Sequence, residues 1–295
     1  MAEKNLCIDK EKCIHCGLCI KDCIAYSLEF DENNVPKFAQ GGEDRCIQCQ
    51  HCLSVCPVGA VSILGKNPEN SEPLYAQNPD MILNLIKSRR SFRHYKQENL
   101  SPEIVQKLKD MLNWTPTGCN FHKLHFAFVE DKAVMDKIRD YVNTKIINII
   151  KKVPYHKAAK KFAHYLDAMV AGEDVIFRKA PHMVVVSVPL NAPCVSEDPV
   201  IALSYFELYA QSLGVATCWC GFAQLCMQLF PELGIQMNIP EGYKPAYVML
   251  FGPADIKYSR TTQPEPFEFY TVDKFEPQKT DFLKRVKYYL GGMFR

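Results

Sequence analysis

The sequence has little that would place the protein in a membrane or on nucleic acid. Its 295 residues contain no apolar run long enough to cross a bilayer. The first seven residues lack the apolar core of a signal peptide. The formal net charge is only +2, which is low for a dedicated nucleic-acid binder. These absences predict a cytoplasmic protein with neither a membrane nor a nucleic acid as partner.

A dinucleotide-binding signature is also missing. No Gly-x-Gly-x-x-Gly turn occurs anywhere in the chain. In a Rossmann-type site, that turn lets the backbone approach the pyrophosphate at a helix N-terminus. A Rossmann-type nicotinamide site is therefore not expected.

Cysteine, in contrast, is abundant, with fourteen residues. Eight of them form two runs with the spacing C-x-x-C-x-x-C-x-x-x-C, which are Cys13, Cys16, Cys19 and Cys23, and then Cys46, Cys49, Cys52 and Cys56. The tight steps let one loop wrap three thiolates around a 4Fe–4S cube, and the fourth cysteine lies on a turn leading away, where it can reach the other cube. We therefore assign two 4Fe–4S clusters, one held by Cys13, Cys16, Cys19 and Cys56, the other by Cys46, Cys49, Cys52 and Cys23.

Two other interpretations of the cysteines are zinc sites and disulfides. Zinc usually takes two C-x-x-C pairs in one tetrahedral site, which fits repeated triple steps poorly. Disulfides need an oxidising compartment, of which the sequence gives no sign. The spacing resembles the two-cluster bacterial ferredoxins. It departs from them at Ile24, where the first run would usually carry a proline like the Pro57 that follows the second run.

Composition divides the chain into two predicted domains. Residues 1–64 are expected to form the ferredoxin-like domain, with a hairpin turn at 32–34 and a closing strand over 60–64. Residues 65–80 are polar and contain proline, as is typical of a linker. Residues 81–295 are expected to form the second domain.

The second domain shows both helix and strand patterns. Ser101, as N-cap, and Pro102, at the first helical position, predict a helix start. Residues 199–213 are apolar nearly all round, which predicts a helix buried in a core or at a subunit contact. Alternation predicts three strands, over 124–130, 183–188 and 246–251. A further helical stretch runs from Ala133 to Lys179. Its lysine-rich centre, 151–161, is interpreted as a solvated face in preference to a docking site for an acidic electron carrier.

Three short segments predict a ligand site. Arg89 to Arg93 places three guanidinium groups and the hydroxyl of Ser91 within five residues, and guanidinium forks match phosphate oxygens. Residues 116–122 and 214–222 are rich in small side chains. Each is interpreted as a turn where a backbone can approach a flat ligand, and tight packing would leave the same pattern.

Taken in order, these segments resemble the nitroreductase family of FMN flavoproteins. The Arg-rich turn is followed by Pro116 to Asn120, then by Ala180-Pro181-His182 before an apolar strand, then by Gly214 to Gly221, and finally by Gly252-Pro253 and Arg260. The resemblance covers about residues 81–262 and implies an α+β fold with an antiparallel-type sheet flanked by helices. It also implies a homodimer with FMN at the subunit interface. The main dimer contact would then fall at the helix over 199–213.

The resemblance implies a role for each matched residue. Arg89, Arg90, Ser91 and Arg93 should hold the phosphate and ribityl end of FMN, with help from Arg260. Thr117 and Asn120 should lie at the ring or ribityl chain, with Asn120 reaching the flavin of the other subunit. Cys220 and Gly221 should offer backbone N–H groups to flavin N5 and O4. No catalytic side chain is predicted, because the flavin carries the chemistry. His122 and Lys123 depart from the glutamine and proline that are common in the family.

The combined prediction is an iron–sulfur flavoprotein oxidoreductase. Ferredoxin or another low-potential donor would supply electrons one at a time, through the two clusters, to FMN. A nitroaromatic, a quinone or an activated alkene would accept them. The alternatives are an enzyme of this fold that reduces one specific metabolite, a non-enzymatic electron-transfer module, and a redox sensor acting on a partner protein. Six cysteines remain, which are Cys7, Cys119, Cys194, Cys218, Cys220 and Cys226. Most of them are interpreted as small buried hydrophobic residues.

Overall fold

The computed structural model describes residues 4–152 and 163–275. Residues 1–260 form one compact unit, and residues 261–295 form a second. In the second unit, residues 261–275 have neither helix nor strand and are exposed. Among the described helices, none has both the length and the apolar character needed to cross a bilayer.

The cysteine-rich region is built from two small antiparallel sheets and three one-turn helices. Its elements in order are β1 (Leu6–Ile8), α1 (Leu18–Lys21), β2 (Leu28–Phe30), β3 (Pro36–Phe38), α2 (Gly42–Arg45), α3 (His51–Ser54) and β4 (Val61–Ile63). β2 pairs with β3 in the predicted hairpin, and the predicted closing strand β4 pairs with β1. β1 was not predicted, because three residues show too little alternation to indicate a strand.

The remainder of the first unit is an α+β domain. Its elements are a 3₁₀ turn (Pro68–Asn70), α4 (Pro79–Ser88), α5 (Pro102–Leu112), a second 3₁₀ turn (Gly118–Asn120), β5 (His125–Val129), α6 (Lys132–Ile150), α7 (Ala163–Val170), β6 (His182–Pro189), α8 (Glu197–Ser212), β7 (Val215–Trp219), α9 (Gly221–Leu229), α10 (Pro231–Gln236) and β8 (Tyr243–Pro253). The four strands form an antiparallel sheet in the order β5-β6-β8-β7. The predicted fold class is confirmed.

Side-chain caps set several of the helix starts. The hydroxyl of Ser101 accepts a hydrogen bond from the N–H of Ile104, so the predicted start of α5 is confirmed. Asn78 caps α4, with Pro79 at the first helical position, and this helix begins two residues before the predicted domain start at Met81. Gly214 adopts φ 74° immediately beyond α8, a conformation that favours glycine, and this ends the helix.

The sheet is covered on both faces. All eight residues of β6 are buried. On one face, Leu203 and Phe206 of α8 pack against the sheet, and the Phe206 ring contacts the Phe251 ring at 5.5 Å between centroids. The other side of α8 leaves Val200 and Tyr205 exposed. The apolar residues of this helix therefore lie both on a face buried against the sheet and on a face exposed to solvent.

The segment 214–222 was predicted as a turn and is instead strand β7 followed by the start of α9. The first four residues of β7 are small to medium-sized and buried, and a turn that a ligand approaches has a similar composition, so the sequence pattern could not separate the two. The lysine-rich segment 151–161 lies outside the described residues from 153 onward.

Candidate iron–sulfur and flavin sites

The eight cysteines of the two runs lie around two separate cavities. The first cavity is lined by Cys13, Cys16, Cys19 and Cys56. The second is lined by Cys23, Cys46, Cys49 and Cys52. Each cavity thus groups three cysteines of one run with the last cysteine of the other run. This grouping fits the crosswise assignment, and ligation itself stays a prediction.

The two cysteine loops share one backbone geometry. His15 and Gly17 in the first loop adopt φ 55° and 71°, and Gln48 and Gln50 in the second adopt φ 59° and 61°. Residues in this left-handed region alternate with ordinary ones, so each loop curls tightly between its first and third cysteines. Three of the four positions are not glycine, and each such residue costs of order 1–3 kcal/mol of strain. Each loop therefore holds a strained backbone conformation, and this conformation would place its cysteines around a bound cube.

The fourth cysteine of each run accepts a backbone hydrogen bond. The N–H of Ser27 donates to the Sγ of Cys23 at 3.4 Å, and the N–H of Ala60 donates to the Sγ of Cys56 at 3.2 Å. Hydrogen bonds to cluster sulfur are one of the factors that set the reduction potential of a 4Fe–4S centre. In both cavities, therefore, the cysteine contributed by the other run accepts a hydrogen bond from the backbone N–H four residues later in the chain.

The zinc alternative requires thiolates that converge on one ion, with Zn–S distances of about 2.3 Å. Within residues 4–152 and 163–275, no three His, Cys, Asp or Glu side chains lie close enough to hold a single metal ion. Apolar side chains complete both cavities, such as Ile14 and Val61 in the first and Leu28 and Ile63 in the second. The donor set, four sulfurs among apolar groups, fits a 4Fe–4S cube.

The Arg-rich turn lies along the open edge of β7. Ser91 forms a parallel bridge with Thr217, and the N–H of Phe92 donates to the carbonyl of Thr217 at 2.8 Å. The buried hydroxyl of Tyr95 donates to the carbonyl of Phe92 at 3.0 Å, and burial raises the Tyr95 pKa well above 10, so it remains a donor. Two segments more than 120 residues apart are thus joined at the sheet edge.

The three guanidinium groups of this turn have different surroundings. Arg89 is ion-paired with Glu207 at 3.2 Å. Arg93 is exposed, and its Nη1 donates to the carbonyl of Ser91 at 3.3 Å. Arg90 donates from Nη1 to the carbonyls of Lys87 and Arg89, while its buried Nη2 has no hydrogen-bond partner in the described part of the chain. A buried guanidinium donor with no partner is costly and fits a bound phosphate oxygen.

Arg260 follows a segment that contacts this turn. The ring of Tyr258 meets the ring of Phe92 edge-on, with 5.0 Å between centroids. Arg260 lies two residues later and is exposed. This places the segment that carries Arg260 beside the Arg-rich turn, and its contact with a phosphate stays a prediction.

The predicted donors at the end of β7 are only partly available. The N–H of Cys220 donates to the carbonyl of Val248 at 3.0 Å, so the sheet already uses this group, and its expected contact with the flavin stays a prediction. The Cys220 thiol donates to the carbonyl of Ile176 at 3.1 Å, and burial raises its pKa to about 12, so it stays protonated at neutral pH. Gly221 is exposed at the first position of α9, where the positive end of the helix dipole favours negative charge.

Asn120 lies in a tightly held loop. The N–H of Gly118 donates to the buried carboxylate of Asp198 at 2.9 Å. A Cβ at Gly118 would lie 2.4 Å from the Sγ of Cys194, so any other residue there would force Cys194 to shift. The hydroxyl of Thr117 accepts from the N–H of His122 at 2.9 Å. These contacts leave Thr117 bonded within its own loop.

The side chain of Asn120 reaches the cysteine-rich region. Its Nδ2 donates to the carbonyl of Ile47 at 3.1 Å, and Ile47 lies between Cys46 and Cys49. This amide nitrogen is thus engaged with the second cysteine loop of the same chain. The flavin contact that the resemblance implies for Asn120 stays a prediction.

Glu207 is a site residue that the sequence reasoning missed. Its buried carboxylate pairs with Arg89 through Oε1 and accepts the indole N–H of Trp219 through Oε2 at 3.0 Å. It thereby joins the Arg-rich turn to the end of β7. The available signal was an acidic residue among the mostly apolar side chains of the predicted helix 199–213, because a buried charge requires partners.

Comparison with known proteins gives two separate matches. The profile described as the nitroreductase family matches residues 86–253, and the profile described as a 4Fe-4S dicluster domain matches residues 12–60. A ferredoxin of Pyrobaculum islandicum is 36% identical over 59 residues, which are 20% of this chain and 52% of the ferredoxin. This chain therefore spans about half the length of that relative.

Two further relatives match the α+β domain. The iodotyrosine deiodinase of Thermotoga neapolitana is 24% identical over 178 residues, covering 57% of this chain and 92% of the deiodinase. A crystal structure of a nitroreductase with bound FMN from Desulfitobacterium hafniense superposes with a TM-score of 0.54 at 24% identity. That match covers 67% of this chain and all of the other, and it shows a shared fold.

Proposed function

The chain belongs to the nitroreductase family, and on that premise we propose that it is an FMN-dependent oxidoreductase fed with electrons by its own 4Fe–4S ferredoxin domain. The observation that carries the proposal is the junction of the Arg-rich turn with β7. Phe92 and Thr217 meet there by a backbone hydrogen bond, and Arg90 keeps a buried donor without a partner in the described residues. A bound anion such as a phosphate would supply the acceptor that this donor lacks.

The residues present can hold FMN in defined roles. Arg90 and Arg93 would bind the phosphate, with Ser91 and Arg260 beside them. Glu207 would hold Arg89 and Trp219 in place through its two carboxylate oxygens. Gly221, at the start of α9, would offer its backbone N–H where negative charge builds on reduction. When bound, FMN can take up electrons singly and release them as a pair, which is the chemistry this domain combination needs.

The electron balance follows from that chemistry. Two molecules of a one-electron donor protein would be oxidised for each two-electron reduction of the flavin, with protons supplied by solvent. The pair then leaves as a hydride equivalent to a small acceptor. A nitroaromatic, a quinone or an activated alkene is the class of acceptor we propose. The two cysteine cavities suit single-electron steps, since each would hold a one-electron centre.

We propose ferredoxin, or another low-potential one-electron donor, as the main reductant in place of NAD(P)H. A flavoenzyme reduced directly by hydride has no need of two one-electron centres. The test is anaerobic stopped-flow reduction with each donor, in the wild type and in a Cys46→Ser/Cys49→Ser variant with its FMN content measured. We expect ferredoxin-driven flavin reduction to be lost in the variant. Fast reduction by NAD(P)H that survives in the variant would contradict the scheme.

A second candidate function is reductive dehalogenation. The similarity to an iodotyrosine deiodinase along most of that protein favours it. The balance would be an aryl iodide plus two electrons and a proton giving the arene and iodide. Anaerobic incubation of the reduced protein with 3-iodotyrosine tests it, with iodide release as the readout. A nitroaromatic in parallel decides which acceptor class reacts faster.

We further propose a homodimer located in the cytoplasm. The exposed apolar residues of α4 and α8 support the subunit contact. Turnover separates the enzyme from the remaining alternatives. A pure electron-transfer module or a redox sensor would exchange electrons with a partner protein and leave small acceptors unchanged.

A further inference from the structure

The two cysteine loops are related by sequence and geometry but differ in their surroundings. Ile14 in the first loop and Ile47 in the second occupy the same position, directly after the first cysteine of each run. Ile14 is 58% exposed, whereas Ile47 is partly buried and its carbonyl accepts the amide of Asn120. One loop is therefore held against the α+β domain, and its counterpart carries an exposed side chain at the matching position.

The contact is made by a rigid segment. Cys119 and Asn120 both adopt the left-handed conformation, with φ of 54° and 52°. The preceding residue, Gly118, is tied to the body of the domain by the buried Asp198 and by its close approach to Cys194. Two consecutive strained residues persist only where the surroundings hold them. The geometry thus presents the Asn120 amide at a defined point.

We propose that the loop from Cys46 to Cys49 is the side of the ferredoxin domain that delivers electrons to the flavin domain, with Asn120 as the positioning residue that holds it there. The inference rests on the proposed function and adds the order of the two cavities. Each donor molecule would give up one electron, which would pass from the centre held in the Cys13 cavity to the centre held in the Cys46 cavity and then to the flavin. Two such passages, with protons from solvent, complete one flavin reduction.

The test compares variants that remove the contact with one that does not touch it. Asn120→Ala removes the amide donor, and Asn120→Asp replaces it with a group that only accepts. Asn113→Asp is the matched control, because it adds the same charge at an exposed asparagine seven positions away. FMN content, iron content and the flavin midpoint potential are measured for every protein.

The first readout is hydrogen–deuterium exchange in the FMN- and iron-loaded protein. We expect both Asn120 variants to increase exchange over residues 46–50 by about fivefold, the effect of losing one net hydrogen bond, and to leave residues 13–17 unchanged. The second readout is stopped flow with reduced ferredoxin as the probe. Cluster reduction should keep its rate, and the following flavin reduction should slow by at least the same factor. Asn113→Asp should change neither readout.

Other outcomes overturn the inference. Unchanged exchange over residues 46–50 would show that the contact does not hold the loop. Slower flavin reduction accompanied by lost FMN or a shifted flavin potential would place Asn120 at the flavin instead. If only Asn120→Asp acts, the added charge is responsible and not the lost contact. Failure of the proposed function looks different, since wild-type protein would then lack clusters or FMN, or would not reduce its flavin from ferredoxin.

Discussion

Arg89 and Glu207 lie 118 residues apart in the chain and form an ion pair of 3.2 Å at the edge of the sheet. The Glu207 side chain is 6% exposed and that of Arg89 is 39% exposed. The carboxylate therefore depends on Arg89 and on the indole of Trp219, while the guanidinium keeps partial access to solvent. The pair fixes the start of the Arg-rich turn relative to β7.

Loss of Arg89 should destabilise the fold as well as the site. Arg89→Ala leaves the buried Glu207 carboxylate with only Trp219, which we expect to cost about 1–3 kcal/mol, less than a fully buried pair because Arg89 is partly exposed. Chemical denaturation measures this free energy of unfolding. Arg93→Ala is the control, since Arg93 is exposed, and it should stay within about 0.5 kcal/mol of wild type. Adding Glu207→Gln to Arg89→Ala should recover stability, and no recovery would contradict the role of the pair.

Flavin retention should depend on the two guanidinium groups that are not paired with a carboxylate. We expect Arg90→Ala and Arg93→Ala each to weaken FMN binding by about 1.5–3 kcal/mol, the value of a charge-assisted contact. Fluorescence titration of the flavin-stripped protein gives the dissociation constant. The iron content should not change. If both variants bind FMN like the wild type, the Arg-rich turn is only a surface turn.

The cluster that is lost on replacing a cysteine should be the one in the cavity that this cysteine lines, even where the other cysteines of that cavity belong to the other run. Iron analysis of the anaerobic wild type should give about eight irons per chain. Cys56→Ser should damage the centre of the first run, and Cys23→Ser that of the second, each lowering the iron to about four per chain. Cys7→Ser is the control, because Cys7 lies in β1 outside both cavities. About one metal ion per chain, or zinc alone, would be incompatible with the assignment.

Stability should fall on mild acidification because of His182. This residue is fully buried, and its Nε2 accepts the N–H of Leu100 at 3.0 Å. Burial lowers its pKa below the usual 6.5. As the pH falls below 6.5, the unfolded chain takes up a proton that the folded chain resists, so stability present at higher pH is lost. The Tm of wild type should therefore fall more than that of His182→Gln between about pH 7.5 and about pH 5.5. Parallel curves would exclude His182 as the source.

Dimerisation should depend on the open face of α8. Tyr205 is 47% exposed on a helix whose other face is buried in the core. Tyr205→Glu would place a charge in the proposed subunit contact, so we expect dissociation to monomers, measured by analytical ultracentrifugation. Leu190→Glu is the control, at a residue that is 64% exposed and follows β6. A wild-type protein that is monomeric while holding FMN would refute the proposed interface.

Local spacing determined much of what the sequence could predict. The hairpin at 32–34, the N-cap at Ser101, the end of α8 at Gly214 and the strands β5, β6 and β8 all depend on residues within a few positions of one another. The cysteine steps act over the same short range, since a two-residue gap sets how tightly a loop can curl. The order of the short motifs then indicated the family, whose profile matches the chain.

Tertiary structure decided what depends on pairs distant in sequence. Strand β7 could not be separated from a turn, because a buried strand of small residues carries no alternation to mark it. The N–H of Cys220 is bonded to Val248, Glu207 joins Arg89 to Trp219, and Asn120 reaches Ile47. Each of these pairs is set by how sheet, helix and loop pack together, and a periodicity along one segment holds no information about the partner that packing brings to it.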